Sequence, residues 1–234
     1  MSIRENIAAL QEQIAAAAKR CGRRADEVAP MAVTKTHPPD RIREAYEAGL
    51  RLFGENRVQE FSGKAAALAD LPAAQWHMIG HLQSNKAAKA AELFSAVDSV
   101  DSVKLAEKLD DAARSLNQKL QILIEVNVGG EAAKSGVALD SPELEDLLLA
   151  APRLEALEFR GLMTVPPFTE DREGARPYFR KLRFLREQIA TRKLPAITME
   201  ILSMGMSHDF AVAIEEGSTC IRIGTAIFGE REKP

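Results

Sequence analysis

Apolar and polar positions along this 234-residue chain follow two alternating periods. Short β-branched or apolar runs are separated by longer stretches whose apolar residues recur every three or four positions, the pattern of βα units on a parallel sheet. The first stretch, residues 3–20, puts Ile7, Leu10, Ile14 and Ala17 on one helical face and stops at Gly22. Strands are predicted over 29–34, 51–53, 75–79, 96–100, 120–128, 157–164, 198–202 and 219–223. Helices are predicted between them over 40–48, 57–69, from 84, over 103–116, from 142, and over 174–191 and 207–215. Pro38 and Pro39 break the chain ahead of the second helix, Ser102 and Ser141 are N-cap candidates, and Pro142 sits at a favoured first helical position. Residues 120–128 form the most apolar run, as expected of a strand covered on both faces.

Eight strands in a chain of this length match an eightfold βα barrel, which takes about 250 residues. The expected fold is therefore α/β, one (β/α)8 barrel domain over residues 1–234 with an extra N-terminal helix. A doubly wound open sheet is the alternative, because strand order is not written in a single sequence. No linker rich in Gly, Pro or Ser divides the chain.

Composition removes several function classes. Hydrophobic residues at 46% and charged residues at 28% are ordinary for a globular protein. No apolar run approaches the roughly 18 residues of a membrane span, and residues 1–10 carry Arg4 and Glu5 in place of a leader's apolar stretch. Cys21 and Cys220 are too few for a disulfide scaffold or a cysteine zinc site, and the four histidines show no metal spacing. The expectation is a cytoplasmic protein with no metal and no membrane partner. A net charge of −3 gives no positive surplus for nucleic acid. No apolar excess is evident, so a monomer is expected.

Chemistry in such a barrel gathers where strands end. Those ends carry Lys35, Asn56, His81, Ser99, Asn127, Thr164, Ser203 and Arg222. Lys35 directly continues an apolar strand, and a lysine entering a barrel mouth is partly desolvated, which favours the neutral amine that attacks aldehydes. A solvated lysine at a strand end is the plainer alternative. The segment Ser203-Met204-Gly205-Met206-Ser207 reads as a loop feeding a helix, and Gly224-Thr225 follows the last strand. Two such elements on neighbouring strands fit a phosphate group. A loop glycine at 205 and a helix cap at Ser207 would need no ligand. Arg222, between Ile221 and Ile223, requires a partner, either Glu200 on the neighbouring strand or an aromatic nitrogen of a ligand. An aldehyde, a phosphate and a ring nitrogen coexist in pyridoxal 5′-phosphate (PLP).

Several motifs run along nearly the whole chain. They are Val33-Thr34-Lys35-Thr36, Phe53-Gly54-Glu55-Asn56-Arg57-Val58-Gln59-Glu60 and the segment Trp76 to Lys86 (Trp-His-Met-Ile-Gly-His-Leu-Gln-Ser-Asn-Lys). Later ones are Gly161-Leu162-Met163, Leu202 to Ser207, Gly217-Ser218-Thr219 and Arg222 to Gly229. Together they resemble the pyridoxal phosphate homeostasis protein family, related in fold to the N-terminal barrel of alanine racemase. The resemblance implies a single barrel of PLP fold type III that holds the cofactor as an aldimine on Lys35. It further implies that Arg222 faces the pyridine nitrogen, that Ser203, Ser207, Gly224 and Thr225 hold the phosphate, and that Asn56 lies against the cofactor. Lys134 matches a family lysine on a mobile loop linked to cofactor release.

Two functions follow from such a site: a carrier that holds PLP and supplies it to dependent apoenzymes, or an amino-acid racemase. An arginine at the pyridine nitrogen disfavours its protonation and weakens the ring as an electron sink, so most PLP chemistries lose driving force and racemisation is the one tolerated in related barrels. Racemisation also needs a second acid–base group, and Tyr46 and Tyr178 both fall within predicted helices. The carrier reading, with no turnover of its own, is the expectation. Among the remaining motif residues, His77 or Trp76 is expected to face the barrel interior, Lys86 and Lys89 to be solvated, and Phe179, Leu182 and Leu185 to be core.

Overall fold

Parallel strand pairing closes the sheet on itself. The computed structural model describes residues 2–131 and 135–229. Its strands are β1 (Ala29–Val33), β2 (Leu52–Glu55), β3 (Gln75–Met78), β4 (Ala96–Val100), β5 (Leu120–Asn127), β6 (Val137–Ala138), β7 (Leu157–Met163), β8 (Ile197–Met206) and β9 (Cys220–Ile223). The neighbours run β1-β2-β3-β4-β5-β7-β8-β9, and β9 returns to β1 with Met31 opposite Arg222. That ring of eight is the expected barrel, and it excludes the open doubly wound sheet. The two-residue β6 was not foreseen. It adds to the end of β5 through Val126–Val137 and Asn127–Ala138, outside the ring.

The helices are α1 (Ile3–Arg20), α2 (Pro39–Glu47), α3 (Val58–Leu68), α4 (Ala87–Leu93), α5 (Val103–Ser115), α6 (Pro142–Ala150), α7 (Arg176–Thr191), α8 (Phe210–Glu215) and α9 (Thr225–Phe228). Ser102 and Ser141 cap α5 and α6 as expected, accepting from Leu105 N and Leu144 N. The N-terminal helix proves to be a member of the outer ring. It buries Ile3, Ile7, Leu10 and Ile14 and packs against α2, α8 and α9. Among the described residues β9 is followed by the single turn of α9, and α1 packs against it.

Apolar packing lies on both sides of the barrel wall. Phe53 is fully buried and stacks on Trp76 at 4.8 Å, and Phe61 of α3 closes on the same indole at 4.7 Å. Such aromatic pairs add about 0.5–1.5 kcal/mol each beyond area burial. Phe179, Leu182 and Leu185 of α7 are buried core, as their spacing predicts.

The largest departure concerns residues 203–209. Sequence reading ends the strand at 202 and starts the helix at 207, whereas β8 runs on through Ser203, Met204, Gly205 and Met206 and α8 begins at Phe210. Gly205 makes this possible. Its φ of +95° is costly for other residues, and a Cβ there would lie 2.5 Å from Ala213 Cβ.

Candidate functional site

The C-terminal rim of the barrel carries the chemically informative side chains. On β1 the ladder continues past Val33, where Thr34 N donates to Gly54 O, and half-buried Lys35 follows at the turn. Val33 lies opposite Gly54, which aligns the next residues of both strands, Lys35 and Asn56, along the rim. Gly80 presses so closely on this row that a side chain there would meet Asn56 O at 2.4 Å. Ser99 Oγ donates to Gly80 O at 2.6 Å and fixes that contact from β4.

Across the rim, β8 and β9 build an amide cradle. Ser207 Oγ accepts from Gly224 N at 3.3 Å and from Ala226 N at 3.4 Å, so the hydroxyl and two main-chain donors converge. Ser207 does not cap α8, which begins at Phe210; its hydroxyl instead caps the first turn of α9 through these two amides. Gly224 borders Val33, two residues before Lys35, so the cradle and the lysine share one side of the mouth. Thr225 opens α9, which is held down by Asn6 Nδ2 donating to Ile227 O at 2.8 Å and Arg41 to Phe228 O at 3.2 Å.

Arg222 lies inside the barrel with 4% of its surface exposed. It donates to Ser203 Oγ at 2.8 Å and to Thr164 O at 2.6 Å. The alternative of an ion pair with Glu200 is excluded, because Glu200 pairs with Arg160 at 2.6 Å on the other face of the strand. The resemblance implies Ser203 as a phosphate ligand; in this structure its hydroxyl accepts from Arg222, which leaves its O–H to donate elsewhere. Burial pulls the Arg222 pKa down, opposed by Cys220, Asp98, Glu125 and Asp209. Lys134 lies outside the described residues. Asn127 organises the start of the same loop, with Oδ1 accepting from Gly130 N at 3.0 Å and Nδ2 donating to Glu131 O at 2.9 Å.

Sequence reading missed the acidic groups of the interior. Glu125 is buried on β5, its Oε2 has no hydrogen-bond partner among the described residues, and burial together with the Asp101 charge pushes its carboxyl up to about 7, against the pull of Arg222. A charge in the middle of the most apolar strand was the available signal. His77 faces the interior and meets Asp98 at 3.1 Å, an arrangement that leaves it a buried pair rather than a group at the rim. Lys64 was also missed. It stands on the apolar face of α3 with Phe61 and Leu68, a position where a lysine must bring its own partners.

Known proteins resemble this chain over nearly its whole length. The family described as the alanine racemase N-terminal domain matches residues 6–232. The pyridoxal phosphate homeostasis protein of Aquifex aeolicus is 45% identical over 233 residues, covering 99% of this chain and 100% of the relative. PipY of Synechococcus elongatus, solved with and without PLP, is 38% identical to this chain. Its TM-scores are 0.83 with PLP and 0.84 without, and either match covers 97% of this chain and 100% of PipY. Alanine racemase from Streptomyces coelicolor shares the fold at a TM-score of 0.70 and 20% identity, with 96% of this chain covering 58% of the enzyme.

Proposed function

The chain belongs to the pyridoxal phosphate homeostasis proteins within the alanine racemase N-terminal domain family, and from that premise we propose that it binds PLP covalently at Lys35 and acts as an intracellular carrier. One observation carries the reading: the amide cradle of Ser207, Gly224 and Ala226 stands beside the strand that ends in Lys35. A phosphate in that cradle takes the two amide donors, and Ser207 Oγ turns from accepting to donating toward it. The Lys35 amine condenses with the aldehyde and releases water. Arg222 supplies an N–H toward the pyridine nitrogen, and its bonds to Ser203 and Thr164 aim the guanidinium. Ser203 thereby acts through Arg222. Thr225 and Asn56 complete the contacts, one beside the cradle and one along the rim from Lys35.

When bound, PLP supplies an electron sink that a guanidinium at its nitrogen keeps weak, a setting that racemisation tolerates in related barrels, so the racemase reading turns on a second acid–base group. Both tyrosines are committed to the outer helix layer, Tyr46 donating to Pro72 O at 2.5 Å and the Tyr178 ring lying 5.6 Å from Lys181 Nζ. A soluble cytoplasmic monomer that passes PLP to apoenzymes by exchange with an incoming amine is consistent with this site. Lys134 is proposed as a release lysine on the resemblance alone.

The test is borohydride reduction of the PLP-loaded protein, followed by mass mapping. Reduction locks the adduct onto the Lys35 peptide. In Lys35→Ala the adduct and its visible absorbance vanish while weaker phosphate-anchored binding survives. Retention of both signals in that variant overturns the covalent assignment, and turnover of L-alanine measured by optical rotation above the free-PLP background overturns the carrier reading.

A further inference from the structure

Behind the barrel wall, under the turn that presents Lys35, lies an ionic cluster built by Glu55 of β2 with Glu60 and Lys64 of α3. Lys64 Nζ donates to Glu55 Oε1 at 2.7 Å and to Glu60 Oε1 at 3.0 Å. The same ammonium reaches Thr34 O at 3.1 Å and His37 O at 3.4 Å. Glu55 Oε1 also accepts from Thr34 Oγ1 at 2.6 Å, and Glu60 Oε1 accepts from Thr36 N at 2.5 Å. The peptide groups on either side of the Lys35 Cα are thus both held by charged side chains: the Thr34 carbonyl by Lys64, the Thr36 amide by Glu60. Thr36 sits at φ +65°, an uncommon conformation for a β-branched residue, so this turn depends on outside support.

We propose that Lys64, with Glu55 and Glu60, positions Lys35 by fixing the two peptide groups that flank it. None of the three is offered as a PLP contact. Lys64 itself is spent on four acceptors, which excludes it as a second aldehyde-binding amine. Charged partners suit this task because hydrogen bonds to ionised groups are stronger and more directional than neutral ones. Their placement outside the barrel keeps them away from the cofactor's own charges. A rigid turn aims the amine along one path into the mouth, and a loose one spreads it over many. The inference rests on the reading of Lys35 as the PLP-bearing residue.

Two measurements on the full chain separate the inference from that reading. In the first, Lys35 acetylation by acetic anhydride is followed by mass spectrometry against pH in PLP-free protein, which reports the setting of the amine with no cofactor present. In the second, PLP is added and the rate of borohydride-trapped adduct on the Lys35 peptide is read. Glu60→Ala, at a half-exposed position, and Lys64→Met are compared with Lys64→Arg. The expected result is trapping about tenfold slower in Glu60→Ala and Lys64→Met, with an altered acetylation profile and partial recovery in Lys64→Arg. Should Lys64→Met fail to fold, Glu60→Ala decides alone. An unchanged trapping rate and pH profile in Glu60→Ala overturns the positioning role. Wild-type adduct on another lysine overturns the PLP reading instead, and the acetylation profile still decides whether the cluster sets the Lys35 turn.

Discussion

The Arg222 guanidinium donates to the Ser203 hydroxyl at 2.8 Å across the β8–β9 boundary, and this bond divides the polar residues of the mouth into two groups. One group, Ser207 with the Gly224 and Ala226 amides, is the anion cradle proposed above. The other, Ser203 and the Thr164 carbonyl, holds Arg222. Ser203→Ala should cost about 2 kcal/mol of stability in urea unfolding, the usual effect of losing one hydrogen bond to a buried charged group. It should also weaken PLP binding while leaving competition by inorganic phosphate unchanged. A parallel loss of phosphate competition would return Ser203 to the cradle.

Ser207→Ala should behave in the opposite way. The variant keeps both amides and loses the hydroxyl that shares the anion with them. Inorganic phosphate should compete about tenfold less well, equivalent to roughly 1.4 kcal/mol, in a titration that follows PLP fluorescence. Lys35 should still be trapped by borohydride once PLP is saturating.

Glu125 gives the protein a distinctive pH response. Its carboxyl is raised from the usual 4.5 to about 7 by burial and by Asp101, with Arg222 opposing. Between those values the folded chain keeps a proton that the unfolded chain has released. Stability is therefore fully present below pH 4.5 and declines as pH rises through 7, by up to about 3 kcal/mol. Glu125→Gln should remove that decline and be more stable than the parent at pH 8, with little difference at pH 5. Urea unfolding of PLP-free protein at the two pH values reads the effect directly.

On the outer layer, Glu216 is buried, accepts from Arg176 and Arg180 at 3.0 Å each, and forms an ion pair with Arg183 at 3.1 Å. Burial pushes its carboxyl up, yet Arg180 and Arg176 outweigh it and hold the group below the ordinary value. A depressed carboxylate stabilises above its unfolded pKa and loses that contribution as pH falls through the folded one. Glu216→Gln should cost roughly 3 kcal/mol near neutral pH by leaving clustered guanidinium charge uncompensated. The gap to the parent should close in acid, as thermal unfolding at pH 7 and pH 3.5 will show.

The sequence by itself settled whatever depends on local period and local chemistry. Alternating runs of period two and period 3.6 gave eight strands and their helices, Ser102 and Ser141 gave two caps, and Lys35, Arg222 and the Ser207–Gly224 pair gave the candidate mouth. Ring closure, the partner of Arg222 and the Lys64 cluster were decided by the tertiary structure. Each depends on residues far apart in sequence: β1 beside β9, Thr164 beside Arg222, Thr34 beside Lys64. Residues 203–206 look like a loop because glycine and serine are weak strand formers, and only pairing with β7 and β9 holds them extended. The same holds for α1, whose amphipathic face is legible from its own residues, whereas its place in the helix ring, against α2, α8 and α9, is set by packing. Propensity is a property of neighbours in the chain, while charge burial and strand pairing are properties of neighbours in space.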